Sequence, residues 1–235
     1  MTISISKLIK NPACYFINNW FRSKPIFKAV LFDLDGSLVD TETTGGEVIK
    51  KVLSEFSIEI TQKETEHGIG ITARKFYEDL LESKGIKNRT DEILQRHMEL
   101  YEESLKKDLK PFNGSTILPK QLKSLGYKLA IVSGSTRSQI EIVLNQIGIR
   151  QYFDLIVSCD DISKSKPDPE GYLIAARLLN LSPSECLVIE DSTSGIKAGK
   201  AAGMKVIGVE NLGKQDLSLA DFIVKDLTEV DIVKQ

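Results

Sequence analysis

Short, uniformly apolar runs recur along the chain and predict buried β-strands. The first covers residues 28–32 and ends at Asp33, where the sequence becomes polar. Runs of the same kind occupy 128–132, 155–157, 186–189, 205–209 and 222–224. Between them, apolar residues at helical spacing predict helices over 135–147 and 169–179. This alternation predicts an α/β fold, a Rossmann-like parallel sheet core with helices on both faces.

Residues 43–110 interrupt this alternation. They contain three amphipathic segments and no convincing strand, which predicts an all-helical domain inserted into the α/β core. The core is accordingly predicted to comprise 28–42 and 111–235. Turn-forming residues at both junctions are consistent with two linkers between the domains.

Residues 1–27 form a predicted N-terminal extension, which we expect to be helical. It carries a group of aromatic residues: Tyr15, Phe16, Trp20 and Phe21. Such a helix can lie on a membrane surface or on a partner, although packing against its own domain is the commoner arrangement. Asn18 and Asn19 interrupt the apolar part of the extension, so a signal peptide is not predicted.

Composition and charge exclude several classes of function. The 235-residue chain has 31 basic and 33 acidic residues, and its formal net charge is −2. Charges of both signs are interspersed, so we expect no nucleic-acid partner. No run is long and apolar enough to predict a transmembrane segment. The cysteines, Cys14, Cys159 and Cys186, lack metal-type spacing, and a reducing cytoplasm is the expected location.

Two acidic pairs follow two of the predicted strands. Asp33 and Asp35 come after the first strand, and Glu190 and Asp191 end the run that begins at 186. Ligands of an open parallel sheet bind at the carboxyl ends of its strands, so these four side chains are expected to converge. Taken singly, an aspartate in such a place is more often a helix N-cap or turn residue. Two pairs together favour a metal site.

The expected metal is Mg²⁺. Converging carboxylates repel one another, and a hard divalent cation with all-oxygen ligation removes that repulsion. Zinc is disfavoured because neither His67 nor His97 lies near a usable partner in the sequence.

Two further strand ends carry groups suited to phosphate. Ser133 and Gly134 stand between a strand and a helix, where hydroxyl and amide donors can bind an anion, although serine is also an ordinary N-cap. Lys166 is followed by Pro167 and, after one residue, by Pro169, which begins a helix. A lone lysine is usually a solvated charge. Placed beside an acidic crevice, it is better interpreted as the cation that neutralises phosphate and nucleophile.

In this order, these residues resemble the four motifs of the haloacid dehalogenase-like hydrolase superfamily. The resemblance covers about 28–224, and the helical insertion is similar to the small cap domain of the subgroup containing phosphoglycolate phosphatase and beta-phosphoglucomutase. The matching residues are Asp33, Asp35, Gly36, Ser37, Leu38, Val39 and Asp40, then Ser133, Lys166 and Pro167, and finally Glu190, Asp191, Ser192, Gly195, Ala198, Ala201, Ala202, Gly203 and Met204.

The resemblance implies a role for each site residue. Asp33 would be the nucleophile that forms an aspartyl-phosphate, and Asp35 would be the general acid and base. The implied Mg²⁺ ligands are Asp33, the backbone carbonyl of Asp35, Glu190 and Asp191. The implied phosphate-binding residues are Ser133, Gly134 and Lys166. The expected substrate is a small phosphorylated metabolite of the sugar phosphate, glycerol phosphate or phosphoglycolate type.

Several alternatives remain open. Dehalogenases lack an acid at the position of Asp35, phospho-acceptor signalling domains are shorter and lack the insertion, and an inactive scaffold would not need the full motif set. A phosphomutase is the main alternative to a phosphatase. In the mutase a histidine stands where this chain has Gly45, which favours hydrolysis. Related caps contact substrate near residues 70–75, so Arg74 or Lys75 could meet an anionic group, although exposed helix charges are commoner.

Overall fold

The computed structural model describes residues 27–67, 73–107, 109–211 and 215–230. These residues form a core unit, which runs up to Val39 and resumes at Pro111, and a helical unit, Asp40–Lys110. Apart from Phe27, the predicted N-terminal extension lies outside the described residues. No helix in the described part is long and apolar enough to cross a membrane.

The core unit contains a six-stranded, wholly parallel sheet in the order β3-β2-β1-β4-β5-β6. The strands are β1 Ala29–Phe32, β2 Lys128–Val132, β3 Leu155–Val157, β4 Cys186–Glu190, β5 Lys205–Val209 and β6 Phe222–Val224. The predicted α/β fold is confirmed. After β1, strands β2 and β3 are added on one side, and β4, β5 and β6 are then added on the other. The strand order therefore reverses between β1 and β4, which is the topological switch point.

The central strands of the sheet are buried on both faces, as their continuous apolar runs predict. All four residues of β1 are inaccessible to solvent, and Cys186 in β4 is buried as expected. Leu31 belongs to the cluster on one face, whereas Phe32 packs edge to face on Phe153, with ring centroids 5.7 Å apart. The sheet is therefore a rigid base for residues at its strand ends.

Four helices connect the strands of the core unit. They are α5 Leu118–Ser124, α6 Arg137–Gln146, α7 Glu170–Leu178 and α8 Thr193–Ala201, with single 3₁₀ turns at Arg150–Tyr152, Cys159–Asp161, Pro183–Glu185 and Leu227–Glu229. Leu173 fits the helical spacing of the predicted 169–179 helix, but in α7 it is 41 % exposed, whereas the neighbouring Tyr172 is 1 % exposed. The aromatic ring buries more apolar surface than leucine, so it occupies the inward position.

The helical unit consists of α1 Thr41–Glu55, α2 Gln62–His67, α3 Ala73–Ser83 and α4 Thr90–Leu105. Asp40 caps α1 by accepting a hydrogen bond of 3.0 Å from the backbone N–H of Thr43. The amphipathic segments bury their apolar faces in one cluster that includes Val52, Tyr77 and Ile93. Whether this unit serves as a cap domain stays a prediction.

The two cations suggested as substrate contacts have carboxylate partners within the helical unit. Arg74 lies 2.9 Å from Asp91, and Lys75 lies 2.7 Å from Asp79. The preceding residues, 68–72, lie outside the described part. These pairs are typical of exposed helix surfaces and favour the simpler interpretation of Arg74 and Lys75.

His97 is buried inside the helical unit. Its Nδ1 lies 2.9 Å from the hydroxyl of Tyr77, and its ring stacks on Tyr101 with centroids 5.8 Å apart. Burial lowers the pKa of His97 to about 4. His97 is therefore a neutral core residue.

This burial predicts that the helical unit loses stability in mild acid. The unfolded chain takes up a proton near pH 6.5 and the folded chain only near pH 4, so the contribution is intact above pH 6.5 and declines as the pH falls towards 4. Between pH 7.5 and 5.0 the free energy of unfolding should fall by about 2 kcal/mol more in wild type than in His97→Gln. Urea unfolding at both pH values measures this difference, and equal declines would contradict it.

Candidate active site

Three carboxylates from the two central strands meet at the switch point. Phe32 of β1 is in register with Ile189 of β4, so Asp33 follows its strand beside Glu190, and its N–H donates to the carbonyl of Ile189 at 3.0 Å. Asp33, Glu190 and Asp191 are all buried, and each offers an oxygen within 4.8 Å of those of the other two. The structure thus brings together acidic groups that are far apart in the sequence.

Asp33 is the most unusual member of this cluster. Within the described residues, its buried Oδ2 has no hydrogen-bond partner, although almost all buried carboxylate oxygens have one. Burial raises the pKa of Asp33 well above its usual range, against the opposing effect of Lys166. The neighbouring carboxylates act in the same direction as burial. Asp33 is therefore a buried acid with one oxygen left for a ligand.

Lys166 reaches the cluster from the loop after β3. Its Nζ lies 2.5 Å from Asp33 Oδ1 and 2.6 Å from Glu190 Oε1, and it also donates to the Val132 carbonyl at 3.1 Å. Burial alone would lower the pKa of Lys166, but attraction to Asp33 and Glu190 outweighs it and holds this pKa well above the usual value. Lys166 is accordingly a buried ammonium rather than a solvated surface charge.

Sequence reasoning missed the contribution of Tyr172. Its hydroxyl donates to Glu190 Oε1 at 3.1 Å, and Lys166 Nζ lies 5.2 Å from its ring centroid. The Tyr172 ring thus makes a cation–π contact with Lys166, while its hydroxyl hydrogen-bonds to Glu190. One signal was available, because a tyrosine buried in a helix needs a partner for its hydroxyl.

Glu190 is fully buried, and both of its oxygens accept hydrogen bonds. Oε1 takes those of Lys166 and Tyr172. Oε2 takes those of the Asp191 N–H, the Ser192 N–H and the Ser192 hydroxyl, each at 3.0 Å. Ser192, not the acidic pair, is the N-cap of α8. These donors hold Glu190 as the fixed centre of the cluster.

Asp35 forms a second group with two serines, apart from the three-carboxylate cluster. Its Oδ2 accepts hydrogen bonds from Ser133 at 2.7 Å and Ser135 at 2.8 Å. Gly134 stands between these serines and is exposed. The N-cap of α6 is Thr136, so the N-cap interpretation does not apply to Ser133. The link through Ser135 was not foreseen, since it depends on how β1 and β2 are paired.

Two glycines make room for the acidic side chains. A Cβ on Gly36, whose φ is +86°, would lie 2.2 Å from Asp191 Oδ2, and a Cβ on Gly195 would lie 1.6 Å from Glu190 Oε1. Any side chain at either position would collide with a carboxylate. Next to Gly36, the buried Ser37 hydroxyl donates to Asp191 Oδ1 at 2.9 Å. The loop after β1 and the end of β4 are thus fitted closely to each other.

The cluster has the chemistry of a divalent cation site. All three side chains offer hard carboxylate oxygens, and one of these, Asp33 Oδ2, is buried without a partner. When ionised, the three carboxylates repel one another, and Lys166 contacts two of them, Asp33 and Glu190. A divalent cation would offset this repulsion.

Comparison with known proteins places these features in one family. A bifunctional riboflavin kinase/FMN phosphatase from Arabidopsis thaliana is 34% identical over 214 residues, which are 90% of this chain but 56% of that protein. Validoxylamine A 7'-phosphate phosphatase from Streptomyces hygroscopicus subsp. limoneus is 31% identical over 209 residues, 87% of this chain and 96% of that protein.

Among solved structures, beta-phosphoglucomutase from Clostridium difficile has a TM-score of 0.72 and 28% identity, over 87% of this chain and 93% of that chain. The sequence profile of the haloacid dehalogenase-like hydrolases matches residues 30–209. This range contains both acidic pairs, Lys166 and Ser133. Since the match spans most of its length, the chain belongs to the haloacid dehalogenase-like hydrolase family.

Proposed function

We propose that this chain is a magnesium-dependent phosphatase that hydrolyses a small phosphorylated metabolite through an aspartyl-phosphate on Asp33. The observation that carries the proposal is the state of Asp33. One of its oxygens is held by Lys166, and the other is buried without a partner beside two further carboxylates at the switch point. This arrangement suits a nucleophile, because Lys166 orients the carboxylate through Oδ1 and no hydrogen bond from the described residues occupies Oδ2.

The reaction takes place in two displacements. In the first, Asp33 Oδ2 forms a bond to phosphorus while the bond to the ester oxygen breaks, and Asp35 gives a proton to the leaving alcohol. In the second, Asp35 takes a proton from water, the water oxygen bonds to phosphorus, and the bond to Asp33 breaks. The products are the alcohol and inorganic phosphate, and both carboxylates return to their starting states.

The remaining residues hold the transferring group. Lys166 supplies a positive charge beside Asp33, and we assign Ser133 and the N–H of Gly134 to the phosphoryl oxygens. Ser133 now donates to Asp35, and its hydroxyl can turn to a phosphoryl oxygen when substrate is bound. This exchange would remove one of the two serine hydrogen bonds to Asp35 Oδ2.

Mg²⁺ would be held by Asp33, Asp191, the backbone carbonyl of Asp35 and Glu190. It would offset the repulsion between these carboxylates and the substrate phosphate. Glu190 contributes charge and fixes Lys166, since both of its oxygens already accept hydrogen bonds.

The proposed substrates are sugar phosphates, glycerol phosphate and phosphoglycolate. Two of the relatives above are named for phosphatase activity on small phosphorylated molecules, which supports this class. A phosphomutase is the second candidate, favoured by the likeness to the solved mutase. Gly45 weighs against it, because the side chain found there in the mutase is absent from this chain.

A metal-dependence experiment tests the proposal. The purified chain is incubated with each phosphate ester of this class, with and without a chelator, and phosphate release is measured. We expect turnover of at least one ester, its loss after chelation, and its recovery on adding Mg²⁺ but not Ca²⁺, which favours higher coordination numbers. Release that is indifferent to chelation would contradict metal dependence. Isomerisation of a glucose phosphate without release, followed by ³¹P NMR, would establish the mutase instead.

A further inference from the structure

Asn211 joins the loop after β5 to the loop after β1. It lies two residues beyond the end of β5, and its Nδ2 donates to the carbonyls of Gly36 at 3.0 Å and Ser37 at 2.9 Å. Both partners are acceptors, which fixes the orientation of the amide because only its NH₂ group can donate. One side chain thus uses both of its hydrogens on two consecutive carbonyls.

These carbonyls belong to buried residues and need donors. Gly36 and Ser37 are both buried, and the carbonyl of each accepts a hydrogen bond from Asn211. A buried carbonyl left without a partner costs about 1–3 kcal/mol. Asn211 therefore restrains this peptide from outside its own loop through two hydrogen bonds.

The same peptide governs the position of Asp191. The Ser37 hydroxyl donates to Asp191 Oδ1 at 2.9 Å. The Gly36 Cα is so close to Asp191 Oδ2 that a Cβ would lie 2.2 Å from it. A shift of this peptide by a fraction of an ångström would therefore move or release the Asp191 carboxylate. Asn211 at the end of β5, Asp191 after β4 and Ser37 after β1 form one connected set.

We propose that Asn211 is a positioning residue for the cation site. It holds the Gly36–Ser37 peptide so that the Ser37 hydroxyl orients the Asp191 carboxylate. The inference rests on the proposed function for its biological meaning, but metal binding tests it without substrate. Outer-shell partners of metal ligands typically contribute about 10–100-fold in affinity.

The test compares three variants by titration calorimetry with Mg²⁺ in the absence of substrate. Asn211→Asp is nearly isosteric but places a carboxylate against two carbonyls, and we expect it to weaken Mg²⁺ binding at least about tenfold. Asn211→Ser keeps one donor and should weaken binding about threefold or more. The control, Gln215→Ala, removes a side chain of the same loop that accepts from Thr193 at 3.3 Å, and it should leave affinity unchanged.

A second measurement separates positioning from general damage. With a substrate, the Mg²⁺ concentration for half-maximal activity should rise in both Asn211 variants, whereas KM at saturating Mg²⁺ should stay near the wild-type value. Failure of the proposed function would appear as absence of turnover in wild type, and calorimetry would still report on Asn211.

Mg²⁺ affinity that is unchanged in Asn211→Ser overturns the inference, whether or not Asn211→Asp folds. Wild-type protein that binds no Mg²⁺ also overturns it. An equal loss of affinity in Gln215→Ala would assign the effect to the loop as a whole and would overturn the role of Asn211.

Discussion

Asp33→Asn is expected to abolish phosphatase turnover, with a loss of at least about a thousandfold. The amide is nearly isosteric with the carboxyl group but is a very poor nucleophile. Folding should be retained, because burial already favours the uncharged form of Asp33 through its raised pKa. Steady-state phosphate release measures the loss. Wild type should also form an acid-stable, hydroxylamine-labile phosphoenzyme that the variant lacks.

A matched change separates this effect from general loss of charge at the edge of the sheet. Asp168 lies two residues beyond Lys166, where its Oδ1 accepts from the Glu170 N–H at 3.1 Å. Asp168→Asn removes a carboxylate from the loop that carries Lys166 and should leave kcat/KM within about threefold of wild type. Full turnover by Asp33→Asn would show that another residue is the nucleophile.

Gly195→Ala should both destabilise the core unit and remove most of the activity. The new Cβ would lie 1.6 Å from Glu190 Oε1, so the glutamate must move and lose the hydrogen bonds that hold Lys166 and Tyr172. Overpacking combined with a disrupted buried ion pair should lower the free energy of unfolding by about 3 kcal/mol or more. We expect kcat/KM to fall at least about a hundredfold, because Lys166 and Asp33 lose their alignment. Urea unfolding and steady-state kinetics measure the two effects.

A glycine-to-alanine change in the helical unit should instead raise the free energy of unfolding. Gly46 lies inside α1, and among the described residues a Cβ there would meet only the Thr65 Cγ2, at 4.0 Å. Gly46→Ala should therefore stabilise by about 0.5–1 kcal/mol through the higher helix propensity of alanine. Near-normal stability and activity in Gly195→Ala would show that Glu190 can move freely, which its many hydrogen bonds argue against.

The strands were predicted well because their signal is local. A strand buried on both faces must be apolar throughout, and the run at 28–32 differs from observed β1 by a single residue. In α7, hydrophobicity did not decide which residue faces the core, because Leu173 and Tyr172 are both apolar enough to be buried there. Helix ends also shifted by one or two residues, because caps such as Thr136 depend on the local backbone geometry.

The sequence by itself determined which chemical groups this protein has at its strand ends. Two acidic pairs, a serine and a lysine beside prolines identify the family, since the carboxyl ends of parallel strands converge in any such sheet. The tertiary structure alone decided how these groups are paired. Distant segments of the chain make these contacts. Lys166 pairs with Asp33 and Glu190, the Tyr172 hydroxyl donates to Glu190, and Asn211 donates to the carbonyls after β1. Such contacts depend on strand order and register, which are set by packing of the whole core and have no local pattern in the chain.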